Sequence, residues 1–371
     1  MVVRIATYNT ENLFRRPAAF RLADPAQRKQ VLDDFDTLVA LLDKATYTDA
    51  DKKEIADLIV TNRAYDIDPD NPPLIFVNQN RPGKTTGLFD PPPPGAQVQD
   101  LTIHATGRGS WAGWVELVQD DLDMTAVRNT AQVVAEVTAD IQLVAEVEDR
   151  LTLDLFNRHV LGAVEGAQPY PFNLLIDGND PRGIDVGILS RRAITSVRPH
   201  LFDPDPAHPD RPLFSRDCPE YEIQLGEGTT LVLLGNHLKS KFHDDPRLRL
   251  AQAQRVAEIY RAALERTPNV VVAGDLNDSP DSAPLKALLD TGLRDVMSHP
   301  SYQGDPGTHG TCRSARDKLD YILLPPALFD KVQRVGLEPR GIFEHQDHFG
   351  SVHSKLDEAS DHAALFVDLD I

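Results

Sequence analysis

The sequence predicts an α/β fold, and three observations carry that prediction. Short apolar runs of strand length recur along the chain, and stretches with helical periodicity separate them. Two of the runs, LVLLGNH (231–237) and VVVAGDLN (270–277), are apolar almost throughout, the pattern of strands buried on both faces. The composition, 41% hydrophobic and 26% charged over 371 residues, is that of an ordinary globular protein able to bury a sizeable core.

The elements follow in order. Residues 4–13 (RIATYNTENL) alternate apolar and polar and end in polar residues, as a strand running into a loop does. Asp24 and Pro25 open a helix as N-cap and first helical residue, with Gln27 completing a capping-box pattern. Its apolar face is Val31, Leu32, Phe35, Leu38, Val39 and Leu42. A second helix is expected from about Thr48 to Val60. From Asp66 to Gln119, Pro, Gly and Asn accumulate and periodicity is lost, which reads as an insertion, a lid or a substrate-binding element. Its Trp111 and Trp114 are expected to anchor it to the body. The sharper alternative is an aromatic platform at a site mouth, with Arg108 reaching for phosphate.

Beyond the insertion, helices are expected at 125–138, 151–164 and 246–266. Strands are expected at 141–147, 184–190, 221–225, 231–237, 270–275, 321–324 and 363–369. No apolar run is long enough to cross a bilayer, and residues 1–9 hold no extended apolar stretch. Cys218 and Cys312 form neither a metal-ligand spacing nor a disulfide framework. A cytoplasmic protein is the expectation. The formal net charge of −19 argues against a tight duplex binder, which needs a basic face. Carboxylates that hold a divalent cation account for part of that acidity.

Polar residues cluster at the strand ends: Asn9 and Glu11, Glu146, Asp185, Asn236 with His237, Asp275 with Asn277, Asp320, and Asp361 with His362. One such residue is usually a local cap. Seven clusters drawn only from Asp, Glu, Asn and His are how an α/β enzyme assembles a site. The carboxylates of Glu11, Glu146, Asp361 and Asp275 suit Mg²⁺ or Mn²⁺, while Asn9 and Asn277 can donate to a phosphate oxygen. His237 and His362 can act as base or donor. Lys239 and Lys241 read either as phosphate contacts or as a solvated face, and His345, His348 and His353 as loop residues before a second metal site.

The motifs TYNTENLF, VAEVEDR, RGIDVGILSR, GNHLKSK, GDLNDSPDSAPL, KLDYILL and SDHAALFV occur in that order. In them the chain resembles the endonuclease/exonuclease/phosphatase superfamily of deoxyribonuclease I-like fold, over residues 4–14 and from 140 to the end. The resemblance implies a four-layer sandwich, two mixed sheets face to face with helices outside. It implies one domain over 1–371 with a helical and Pro-rich insertion at about 15–120. It places Glu146, Glu11 and Asp361 at the metal, and Asp275 and Asn277 where water is positioned and phosphate held. His362 becomes the base oriented by Asp320, and His237 the second histidine of the deoxyribonuclease I branch, with Asp185 as its acidic partner. Asn9, Asn236, Lys239 and Arg108 are the substrate-side candidates. Ala145 departs from the usual Gln, and neither the WNV(D/N)G motif of apurinic/apyrimidinic endonucleases nor the GD-N-YR box of inositol-polyphosphate phosphatases is present.

The expected activity is therefore metal-dependent phosphodiester hydrolysis, with DNA or RNA as the leading substrate. A small phosphoester, inositol phosphate or phospholipid head group is the alternative. A non-catalytic scaffold of the same fold is a third reading, opposed by the presence of every expected acid, amide and histidine.

Overall fold

A computed structural model of the protein describes all residues except 14, 23, 67, 69, 70, 80–86, 91, 93–96, 121, 181, 242 and 243, and the side chains of 12 and 99. The chain forms two compact units, one of Met1–Phe14 with Leu122–Ile371 and one of Arg15–Asp121.

The larger unit holds two mixed six-stranded sheets. The first runs, in spatial order, Val332–Glu338, Ala364–Asp370, Val2–Leu13, Ile141–Val147, Asp185–Ser190 and Phe172–Leu175. The second runs Arg294–Asp295, Asp320–Leu324, Val270–Asp275, Thr229–His237, Glu220–Gly226 and Ile194–Arg198. Strand alternation sorts the side chains. Val3, Ile5, Ile141 and Leu143 of the first sheet meet Leu231, Leu233, Val271 and Ile322 of the second in one buried layer. The opposite faces are covered by helices: Met124–Val137 lies over the first sheet and Pro246–Leu264 over the second. Four layers result.

The expected interior strands are present, displaced by no more than two residues. Four others, Phe172–Leu175, Ile194–Arg198, Arg294–Asp295 and Val332–Glu338, had no counterpart in the sequence pattern. They are short or largely solvated strands at or near the sheet edges, so they lack the continuous apolar run that marks a buried strand. The helix expected at 151–164 is instead an α-helix at Arg150–Leu155, a π-turn at Phe156–Val160 and a 3₁₀ turn at Leu161–Ala163.

In the smaller unit both expected helices are present, and the correction concerns residues 66–119, which do contain regular structure. Helices Pro25–Leu42 and Asp49–Thr61 and an antiparallel hairpin of Ile75–Gln79 with Gly113–Leu117 enclose a core of their own, including Leu38, Ile55, Ile59, Ile75 and Leu88. Trp111 belongs to that core, its Nε1 donating to Tyr47 Oη at 2.9 Å. Trp114 is exposed and donates to Glu116. Asp24 caps its helix by accepting from Ala26 N, but the reciprocal capping box lies at Thr48 and Asp51 and not at Gln27. Most of the Pro-rich runs at 78–97 fall outside the described residues. Among the described residues no helix is long and apolar enough to cross a membrane.

The sheet register carries a strict demand at Gly274, which pairs with Asn236 and has a φ of +136°. A Cβ there would stand 1.9 Å from Asn236 O. Gly228, with φ +71°, has open space around it. Gly274→Ala is expected to cost at least about 3 kcal/mol through backbone strain and overpacking, and Gly228→Ala about 1 kcal/mol. Urea unfolding of both variants checks the order.

Candidate functional site

The inner apolar layer stops at one end of the sheets, where six strands deliver polar side chains. The parallel neighbours Thr229–His237 and Val270–Asp275 end together, and Asp275 pairs with Asp320 at the start of the antiparallel strand beside them. In the other sheet Asn9 pairs with Ala145, one residue before Glu146. The backbone bends sharply here: Glu11, Glu146 and Asn277 adopt left-handed conformations, with φ of 50°, 61° and 53°. Register shifts accompany Glu11 and Glu146. Left-handed conformations in non-glycine residues are uncommon and gather where the surroundings over-determine the backbone.

Asp275 is the hub. It is 2% exposed, and its Oδ2 accepts from Asn9 Nδ2 at 3.1 Å, with His237 Nε2 at 3.7 Å and His362 Nε2 at 4.0 Å. Its Oδ1 accepts from Asn277 N at 2.8 Å, the local turn that a D-x-N sequence after a strand forms. The Asn277 side chain donates to Leu238 O. Asn9 Nδ2 also reaches Glu146 Oε1 at 3.3 Å, and Glu146 stands 3.8 Å from His237 Nε2. Burial pushes the Asp275 carboxyl above the usual carboxylate range; His362 opposes that rise and the charge of Asp320 adds to it.

His362 is held from both ends. Its Nδ1 is 2.8 Å from Asp320 Oδ2, and its backbone N donates to Ser360 Oγ, which in turn donates to Asn9 O. Thr308 Oγ1 donates to the same Asp320 oxygen at 2.7 Å, and Asp320 Oδ1 has no partner among the described residues. Burial alone lowers the pKa of an imidazole, but the charge and hydrogen bond of Asp320, with Asp275 and Asp361, raise His362 well above 6.5. Asp361 Oδ1 is 3.7 Å from His362 Nε2. Burial pushes Asp361 up, yet the hydrogen bond to His309 and the charge of His362 hold it below the usual range. Glu11 accepts from Asp361 N through Oε2 at 2.9 Å.

The expected pair Asp185–His237 is not formed. Asp185 Oδ1 accepts from Gly178 N at 2.7 Å, and the next residue, Val186, packs toward the His237 strand, its Cγ1 3.0 Å from where a Cβ on Gly235 would stand. Burial, assisted by Asp177 and Asp180, pushes the Asp185 carboxyl up to about 7. What faces His237 instead is a cation: Arg216 Nη2 lies 3.4 Å from Nε2. His237 Nδ1 has no partner among the described residues, and burial with Arg216 and Arg182 pulls its pKa well below 6.5. Arg216 is 2% exposed, and its Nε is 3.3 Å from Asp180 Oδ2 without hydrogen-bond geometry. Nothing in the sequence singled it out, because one Arg in a polar segment before a strand carries no periodic or spacing signal.

One further candidate is corrected. Asn236 donates to the main-chain carbonyls of Leu234 and Ala273, and strand alternation turns it away from the face of His237. Arg108 belongs to the smaller unit, where Nη2 donates to Gly113 O and the guanidinium lies 4.7 Å above Trp111. Lys239 is half-buried, and burial with Arg216 and Arg182 lowers its pKa, which places it on the cationic side of the site. Lys241 pairs with Asp278.

The donor set fits a divalent cation. The buried carboxylates of Asp275 and Asp320 offer donor atoms close to one another, and Asp320 keeps an orphaned oxygen. The grouping differs from the expected one. Glu11, Glu146 and Asp361 do not gather as a triad; donor atoms within 4.8 Å of one another are those of His309, Asp361 and His362, and of Asp275, Asp320 and His362. His309, absent from the sequence expectation, sits against the His362 ring at 4.9 Å and 3.4 Å from Asp361 Oδ2. No such group among the described residues includes His345, His348 or His353; His345 bonds Asp305.

Residues 117–362, about two thirds of the chain, match the Endonuclease/Exonuclease/phosphatase family. No curated protein sequence matches. Among solved structures, a Bacteroides thetaiotaomicron mannosyl-6-phosphatase is similar at 18% identity and TM-score 0.50, covering 67% of this chain and 91% of its own. A truncated Caenorhabditis elegans TDP2 has 19% identity, TM-score 0.46 and coverage of 67% and 91%. A Bacteroides thetaiotaomicron endonuclease/exonuclease/phosphatase family protein has 18% identity, TM-score 0.49 and coverage of 66% and 86%.

The two histidines sit in opposite fields, and the metal-free protein is expected to report it. His362 should remain protonated above pH 6.5, and His237 should already be neutral at that pH. Imidazole proton shifts followed by NMR across pH 5–9 check this, and the reverse order would contradict the electrostatics described.

Proposed function

The chain belongs to the endonuclease/exonuclease/phosphatase family, and from that premise we propose that it is a metal-dependent phosphoester hydrolase. The observation that carries the reading is the buried line Asp320–His362–Asp275, with Nδ1 of the imidazole on one carboxylate at 2.8 Å and Nε2 turned toward the other at 4.0 Å. An imidazole fixed by one acid and facing a second is equipped to move a proton to or from water positioned by Asp275. Asp361, with His309 beside it, would hold Mg²⁺ or Mn²⁺, and Glu11, which accepts from Asp361 N, and Glu146 would complete its surroundings. Bound there, the ion supplies Lewis-acid neutralisation of phosphoryl charge. Asn9 and Arg216 donate toward the same space, and His237 stands between them; these are the groups to stabilise the charge of the pentacovalent phosphorus. Asn277 shapes the turn that presents Asp275.

Nucleic-acid diesters are the proposed substrate class, supported by the second histidine, His237, at the centre of the site. The acidic partner expected for it is replaced by Arg216, which sets a donor where an acceptor was expected and reverses the charge. A small phosphoester is the second reading, favoured by the net charge of −19. Incubation with supercoiled plasmid, single-stranded DNA, RNA, bis-p-nitrophenyl phosphate and sugar phosphates separates the two.

Turnover of the best of these substrates is expected to vanish with EDTA, to return with Mg²⁺ or Mn²⁺, and to fall by roughly 10³-fold in His362→Ala. Rates near wild type in that variant would remove the assignment. Arg216→Gln is expected to lower kcat/KM by about 100-fold, measured by steady-state kinetics with the fold verified by circular dichroism.

A further inference from the structure

A second concave site lies beside the helix that covers the outer face of the first sheet. The Met124–Val137 helix, the π-turn at Phe156–Val160 and the loop around Phe349 enclose a cleft of about 520 Å³. That volume is within the range of small-molecule sites, roughly 300–1,000 Å³. One part of the lining is apolar, from Met124, Val160, Val164 and Phe349; the other presents Arg128 and His159. Among the described residues neither basic side chain makes a hydrogen bond or an ion pair.

The walls are fixed by bonds that owe nothing to a ligand. Asn129, 4% exposed, donates to Asp357 O at 2.6 Å and accepts from Ser351 Oγ at 2.6 Å. Thr130 Oγ1 lies 2.8 Å from Ala359 O. These bonds pin the loop of 349–359 along the helix, so the cleft is formed in advance and binding has little ordering to do. The π-turn is the other wall. Such turns are rare, usually occur as single bulges in helices, and are frequent at functional sites.

We propose that this cleft binds a small organic anion with an apolar body. Its charged end rests on Arg128 and His159, and its body lies against Phe349, Val160 and Val164. A bare inorganic anion would leave the apolar wall in water, and a neutral apolar compound would leave the guanidinium without its partner. Only a molecule with both parts uses both halves of the lining.

The probe is 8-anilinonaphthalene-1-sulfonate, titrated by fluorescence against wild type, Arg128→Gln and Ala163→Trp. Its uncharged relative N-phenyl-1-naphthylamine serves as the neutral control. Arg128 and Ala163 are exposed, so both variants are expected to keep the wild-type thermal transition. The expected result is one saturable site, about tenfold weaker in Arg128→Gln for the loss of one charge-assisted contact. The site should be lost when Trp fills the cleft, and the neutral compound should bind weakly. An unchanged affinity in either variant, equal binding of the neutral compound, or no saturable binding would overturn the proposal. The readout is binding, so it is independent of whether the strand-end site hydrolyses a phosphoester.

Discussion

The site depends on hydrogen bonds that cross from one sheet to the other where the apolar layer ends. Asn9 lies on the first sheet and Asp275 on the second, and the 3.1 Å bond between them joins the two directly. The 2.8 Å contact of His362 with Asp320 joins them again, and His237 approaches Glu146 across the same gap. These groups are almost fully buried, so each must find a partner on the facing sheet or remain unsatisfied in a low-dielectric interior. The spacing of the sheets, set by Leu143, Val186, Leu233 and their neighbours, therefore sets the spacing of the chemistry. Gly235 is small for that reason, since a side chain there would push against Leu143 and Val186 of the facing sheet.

The charges divide into two sides around Asp275. Asp320, Asp361 and Asp275 surround His362 and hold its proton against the effect of burial, whereas burial, with the charges of Arg216 and Arg182, expels the proton of His237. A cation would be stabilised on the first side, where the buried carboxylates of Asp275 and Asp320 lie near one another. An anion is welcome on the second, where a guanidinium is buried with incomplete pairing. A phosphoester with a divalent cation supplies both at once, and this links the electrostatics to the proposed chemistry more firmly than any single contact does.

How much of this was legible follows from where the signals come from. Buried strands are long apolar runs, so Val270–Asp275 and Thr229–His237 could be read directly, and their polar ends marked Asp275 and His237. His362 and Asp320 came from motif resemblance, and the 2.8 Å contact between them agrees with it. Partnerships across the interior were not legible. Asp185 has a suitable residue type at a suitable sequence position, but strand parity gives Val186 the inward place, and no local pattern reveals parity once a register shift intervenes. Arg216 and His309 come from loops whose course is set by tertiary packing, and loops carry no periodicity. In the smaller unit the two helices were legible, and what the Pro-rich runs hid was the pairing of residues 75–79 with residues 113–117 across a long excursion.

The left-handed residues show how strongly the fold enforces this end of the sheets. For an L-residue the left-handed conformation costs on the order of 1–2 kcal/mol. Glu11, Glu146 and Asn277 all adopt it, yet glycine, which would adopt it freely, occupies none of the three positions. Each is held by neighbours: Glu11 N donates to Asn9 Oδ1, Asn277 N to Asp275 Oδ1, and Thr10 Oγ1 to the carbonyls on either side of the Ala145–Glu146 bond. Two of the three side chains are carboxylates beside the proposed cation, and the third forms the turn that presents Asp275. A sequence shaped by stability alone would place glycine there; retaining acid and amide side chains at that cost makes sense only if what those side chains reach is worth more than the strain.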